Sequence, residues 1–326
     1  MLNLLSDRAS LLSPAPLMTT EEARMLGIVV PSAEWVRVRR GVYAARGACD
    51  SLPPWMRYAL RVHAYLRAHP DAILCLESAA VIHGLPLFGE PRDIHVYDPV
   101  RTASRRRGDV AVHTGAMPRE VVAVEGIRVT AVLDTVVDLA RLLPPAQALA
   151  LVDTAIAPAQ GGPLLLRDLR DRSESQPGSR GRRRMPWLWR RADPASESPA
   201  ESVSRAVIEW CGFESPASQR EFRYEDARDR VDFFFPSCRA IAEVDGWQKY
   251  GDDERTRSRR FREEKQREDR LRRHGHPFAR WSLSDAWRVE PLAQALRVAR
   301  VPLVARPQTA MLATLHGSPR EKPRSA

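Results

Sequence analysis

Long apolar runs are missing from this chain of 326 residues. None approaches the ~18 residues that a membrane span requires, so no contact with a membrane is expected. Cysteine is scarce. Cys49, Cys75, Cys211 and Cys238 lie far apart and form no CxxC pair, which argues against a structural zinc site or a disulfide scaffold and fits a reducing compartment. The opening Met1-Leu2-Asn3-Leu4-Leu5 has no basic stretch and soon meets Asp7 and Arg8, unlike a signal peptide. A cytoplasmic location is therefore expected. Lysine is rare beside arginine, although the formal net charge is +10 and the pI about 10.1. A basic balance favours polyanions, and the planar guanidinium fork suits phosphate. Coding bias in GC-rich DNA also enriches arginine, so composition alone does not decide the partner.

What is present reads as an α/β multidomain protein. Residues 1–17 look like a flexible leader. In residues 18–52, Thr19-Thr20-Glu21-Glu22 opens a short capped helix that Gly27 ends, and Ser32 to Glu34 offer a second turn. Trp35 to Tyr43 then alternate apolar and basic residues about Gly41. That order is winged-helix-like, with Arg37, Arg39 and Arg40 as candidate nucleic-acid contacts; a small capping subdomain with solvated arginines fits equally. Residues 53–160 mix helical periodicity with short strands, as in a central α/β domain. His83, His95 and His113 there lack metal-ligand spacing and read as packing or surface groups. Glu77 and Ser78 are assigned no chemistry. Residues 161–196 turn to Gly, Ser, Pro and Arg and read as a basic linker, a Trp-anchored helix or an electrostatic arm. Residues 197–304 form a further domain, and residues 305–326 read as a disordered tail.

The densest chemical signal lies between Val231 and Lys249. Two apolar runs flank the turn Pro236-Ser237-Cys238-Arg239. A four-residue loop pairs Phe235 with Ala240 and sets Asp232 opposite Glu243, while Asp245 shares the face of Glu243. Opposed carboxylates destabilise a sheet unless a cation compensates them. Mg²⁺ or Mn²⁺ held by Asp232, Glu243 and Asp245 would do so and would suit phosphodiester hydrolysis; exposed carboxylates at a strand end are the other reading. Lys249 and Lys265 are candidates to orient water or stabilise developing charge. Arg259, Arg262 and Arg267 on the following helix could hold a nucleic-acid backbone. Glu201, three residues after Ser198, is explained by a capping box, with a secondary candidacy for the site.

Val231-Asp232-Phe233-Phe234-Phe235-Pro236, Ala242-Glu243-Val244-Asp245-Gly246, Glu264 to Asp269 and Arg280-Trp281 resemble a bacterial family related to very-short-patch-repair endonucleases and the wider restriction-endonuclease-like superfamily. The resemblance covers roughly residues 195 to 290. It implies a three-layer α/β/α core with Asp232 and Glu243 as metal ligands. The superfamily's lysine, two residues after the acidic ligand, is replaced here by Asp245. Trp35 to Ala44, Leu76-Glu77-Ser78-Ala79-Ala80 with His83-Gly84-Leu85-Pro86, and Thr135 to Ala140 resemble AbiEi-type antitoxins of type IV toxin–antitoxin systems. That resemblance implies promoter DNA and a cognate toxin or other defence protein as partners. Two functions follow: an Mg²⁺-dependent DNA endonuclease with an N-terminal targeting module, or a non-catalytic DNA-binding transcriptional regulator of the antitoxin class.

Overall fold

The computed structural model describes residues 4–115, 117–245 and 254–322, without the side chains of 254–258, 260 and 261. The chain is a mixed α/β protein of two compact units. One comprises Met1–Leu143, Thr154–Ala192 and Gly317–Ala326; the other comprises Pro144–Asp153 and Asp193–His316. Among the described residues, no helix is long and apolar enough to cross a membrane.

The first unit opens with α1 (Leu5–Arg8), β1 (Leu17–Thr19), α2 (Thr20–Met25), β2 (Trp35–Arg39) and β3 (Val42–Ala45). The start of α2 is set by a capping box. Glu22 N donates to Thr19 Oγ1 at 3.2 Å, and Thr19 N donates to Glu22 Oε2 at 2.7 Å. The strands form an antiparallel sheet in the order β1-β3-β2, with an irregularity between Arg37 and Arg39. Residues 26–34 consist of turns and bends and form no second helix.

After α3 (Arg46–Asp50) and α4 (Pro54–Ala68) comes a six-stranded sheet. Its strands are β4 (Ile73–Leu74), β5 (Ile94–Tyr97), β6 (Arg105–Arg107), β7 (Val110–His113), β8 (Val121–Val124) and β9 (Ile127–Thr130), in the order β6-β7-β5-β4-β9-β8. The β5–β7 and β4–β9 pairs are parallel and the others antiparallel. Helices α5 (Leu76–His83) and α6 (Val132–Ala140) pack on each other. Tyr58, Val62, Leu74, Ile82, Ile94 and Val129 form the core.

Three segments expected to be loose are folded. In the leader, Ser10 N donates to Val81 O at 3.0 Å, and Leu5 and Ala15 are buried. The expected linker carries α8 (Leu166–Ser175) and α9 (Met185–Arg191), after α7 (Pro145–Ile156). Its arginines conceal apolar side chains at helical spacing, and Leu169, Met185, Leu188 and Trp189 are buried.

The second unit contains α10 (Pro199–Trp210), β10 (Ala217–Tyr224), β11 (Ala227–Phe235), β12 (Ala240–Asp245), α11 (Glu254–Arg273), β13 (Phe278–Ser282), α12 (Leu283–Arg288), α13 (Glu290–Val298) and α14 (Thr309–Leu312). Strands β10, β11 and β12 form an antiparallel meander, and β13 lies parallel beside β12. Trp281 stacks on Phe233 with centroids 6.1 Å apart, and its Nε1 donates to Ser204 Oγ at 2.9 Å, which fastens α10 to the sheet. The described part of the expected tail is folded too, and it begins packed on Gly212. That residue has φ +85, and a Cβ there would collide with Ala305 O. Val304 N and Ala305 N donate to Gly212 O at 2.8 and 3.1 Å.

Candidate functional site

The carboxylates singled out by the hairpin gather in the second unit, and each owes its place to local structure. Helix α10 begins at Ser198, whose Oγ accepts from Glu201 N at 3.2 Å, with Pro199 at the first helical position. Glu201 does not complete the expected reciprocal box. Its Oε1 accepts from Ser198 Oγ at 2.7 Å, while Oε2 accepts from Glu197 N at 3.1 Å and from Gln219 Nε2 at 2.8 Å. The side chain is therefore both a cap and a wall of the site.

Gln219 is the residue the sequence did not disclose. The β10–β11 ladder pairs Ser218 with Phe233 and Arg220 with Val231, and skips Gln219, which is held at φ +53. A side chain at such an angle is strained, and strain of this kind concentrates where a side chain is being aimed. Gln219 is aimed between Glu201 and Asp232, and hydrogen-bonds both.

The hairpin register is the expected one: Phe235 pairs with Ala240, Phe234 with Ile241 and Phe233 with Ala242. The recorded ladder stops there. At the next position the Asp232 carboxylate intervenes, and its Oδ2 accepts from Val244 N at 2.9 Å. Burial pushes the Asp232 carboxyl up to about 7, reinforced by the negative charge of Glu201 and opposed by the Val244 N–H. Burial also raises Glu201 and Glu243, and it raises Asp245.

Glu243 is 6% exposed and faces two arginines. Its Oε2 accepts from Arg267 Nη2 at 2.6 Å and from Arg280 Nη2 at 3.0 Å. Its Oε1 is buried and accepts no hydrogen bond, although it also lies 2.6 Å from Arg267 Nη2. Arg280 reaches Glu264 as well, and stands 3.5 Å from both Asp245 and Glu268. The cation demanded by the opposed carboxylates is thus supplied by guanidinium groups. Among the described residues, no group of three or more His, Cys, Asp or Glu could hold a metal ion. Glu243 is closed by two arginines, one Asp232 oxygen is committed to a backbone N–H, and Asp245 is exposed beside Arg280. This donor set, as arranged, does not fit Mg²⁺ or Mn²⁺.

The remaining candidates are scattered. Lys249 lies outside the described residues, and Lys265 is exposed on α11. Arg259 is exposed and stands 3.5 Å from Glu263, one helical turn away. Arg262 is exposed. Arg267 turns inward to Glu243 and also donates to Arg230 O at 2.9 Å, so it is part of the carboxylate site, contrary to its expected place on a DNA-facing surface. In the first unit Arg37 and Arg40 are exposed. Arg39 instead grips Asp109 at 2.9 and 3.0 Å and lies over the Tyr65 ring.

The motif helices of the first unit frame a cleft of about 290 Å³ lined in part by Cys75, Tyr97, His113, Arg119 and Asp138. Arg119 holds Asp138 through Nε and Nη2 at 2.8 and 3.0 Å, and Gln176 Nε2 donates to the same carboxylate at 2.9 Å. Gln176 comes from α8's C-terminal end, in the segment expected to be a linker.

Residues 72–183 match the family model described as the AbiEi antitoxin C-terminal domain. The match contains both the Leu76–Pro86 and the Thr135–Ala140 motifs and extends through α8. No curated protein matches the chain, and no solved structure does.

Proposed function

We propose that this protein is a non-catalytic DNA-binding regulator of the antitoxin class, paired with a cognate toxin or another defence protein. The match of residues 72–183 to an antitoxin domain carries this reading. It is supported by the net charge of +10 and by the small N-terminal sheet, whose strand–helix–strand–strand order suits a winged-helix-like DNA-binding segment. In this reading Arg37 and Arg40 touch the phosphate backbone. With no second helix in residues 26–34, the main contact in this reading is the β2–β3 hairpin rather than a recognition helix. Gel-shift titration of DNA from upstream of its own gene tests this. Binding that weakens in a Arg37→Ala/Arg40→Ala variant is expected, and unchanged affinity would remove the proposed contact.

The endonuclease reading is favoured by one specific observation. A helix, three antiparallel strands, a helix and a parallel fourth strand follow one another in the second unit, an order compatible with the three-layer core that the endonuclease resemblance implies. Against it stands the closure of Glu243 by Arg267 and Arg280. The second unit is accordingly proposed as a nuclease-like body in which Asp232, Glu243 and Asp245 have become structural, with the arginines in place of the metal. Incubation of DNA with the protein and Mg²⁺ or Mn²⁺ separates the readings, since only the second predicts cleavage.

A further inference from the structure

Glu77 enters α5 one residue after Leu76, which is held at φ +49. Its side chain is 2% exposed, and a carboxylate so deep in a fold requires a partner. That partner comes from the far end of the chain. Arg320 Nη2 donates to Glu77 Oε2 at 2.6 Å while Nε donates to Oε1, a two-pronged grip that a guanidinium can make and an ammonium cannot. His95 Nε2 lies 3.2 Å from Glu77 Oε2 and 3.3 Å from Arg320 Nη2. The imidazole is fixed in turn by His113, 2.8 Å from its Nδ1.

The walls of this site are held by hydrogen bonds in which Arg320 takes no part. Ser78 Oγ accepts from His95 N at 2.9 Å and lies 2.8 Å from Tyr58 Oη, and Tyr58 Oη donates to Asp93 O at 2.9 Å. Arg320 is delivered by a turn, closed by Glu321 N donating to Ser318 O at 3.0 Å, and the segment docks on the backbone of residues 90–92. Arg92 N donates to Arg320 O at 2.7 Å, Lys322 N donates to Glu90 O at 2.8 Å, and Pro91 bridges Glu321 in antiparallel fashion. Lys322 Nζ also pairs with Glu90. Gly89 beside the Glu321 carboxylate is held at φ +91, a backbone conformation that favours glycine.

We propose that Glu77, His95 and the backbone of residues 90–92 form a receptor for an arginine carried on a turn, with residues 318–322 as its resident ligand. The ligand class is an alkylguanidinium. The Arg320 side chain retains 21% exposure, so the site opens to solvent and to a competing segment. This inference is independent of the DNA-binding reading.

The test is chemical rescue in the full chain. Arg320→Ala should lower the thermal midpoint by on the order of 10 °C, because it strands a buried carboxylate. Millimolar methylguanidinium should recover part of that loss, and methylammonium at the same concentration should not. A variant that melts with the wild type, or recovery by both cations alike, would overturn the proposal. Arg320→Lys keeps the charge without the fork and carries the test if the alanine variant fails to fold. Its midpoint should fall below the wild type, and a wild-type midpoint would show that charge alone suffices.

Discussion

Glu243 and Arg280 are register partners in the parallel pair β12–β13, and Oε2 of the first accepts from Nη2 of the second at 3.0 Å. Parallel partners present their side chains to the same face, so the fourth strand lays a fixed cation beside the carboxylate that the hairpin had left uncompensated. Arg267 completes the arrangement from α11.

Removing one of these arginines should expose the cost of burying Glu243. Arg267→Ala should destabilise the chain by about 1–3 kcal/mol, less than for a fully unpaired buried charge because Arg280 remains. Glu243→Gln should cost about 1 kcal/mol or less, since it removes the charge along with the need for a partner. Urea denaturation of the three proteins checks the order. A glutamine variant less stable than the arginine variant would contradict it.

Asp232 predicts a pH dependence of definite sign. Its folded pKa, about 7, lies above the ordinary aspartate value of 3.8. The folded state therefore holds the proton more tightly than the unfolded chain, and stabilisation from this group is present at low pH and lost as pH rises toward and through 7. Thermal midpoints of the wild type and Asp232→Asn should be compared across pH 4 to about 8. The wild type should lose stability relative to the variant as pH increases. A difference that is flat, or that grows in the wild type's favour, would show that the group is an ordinary carboxylate.

The hairpin itself was legible in the sequence, since a four-residue turn between Phe235 and Ala240 leaves one sensible register. The helix start at Ser198 was legible for the same local reason. What decides the chemistry was not local. Arg280 is 37 residues from Glu243, and it meets that carboxylate because β13 returns parallel to β12. Gln219 is aimed by a positive φ that nothing in Ser218-Gln219-Arg220 announces. Arg320 is 243 residues from Glu77, so a terminal segment rich in Pro, Arg and Ser looked disordered although its end is held by one distant carboxylate and two backbone hydrogen bonds. Around Trp189 the structure takes up the Trp-anchored helix among the three readings left open, which composition could not single out because the arginines outnumber the few apolar side chains that pack.

The arginines of the N-terminal hairpin divide by role. Arg37→Ala/Arg40→Ala should reduce the salt dependence of DNA binding, lowering the slope of log K against log salt by about 2 if each contacts one phosphate. The fold should be unaffected, since both side chains are exposed. Arg39→Ala should instead lower the thermal midpoint, because Arg39 ties β2 to Asp109 and covers Tyr65. Binding isotherms at several salt concentrations, beside melting curves, separate the two. An unchanged slope in the double variant would place the DNA elsewhere.

The most direct test of the account is to incubate the full chain with labelled DNA from upstream of its own gene, with Mg²⁺, with Mn²⁺ and with neither, and to follow complex formation and strand integrity together. The account predicts a retarded complex in every condition and intact DNA throughout. Metal-dependent cleavage that Asp232→Asn or Glu243→Gln abolishes, with the variant still folded, would contradict it.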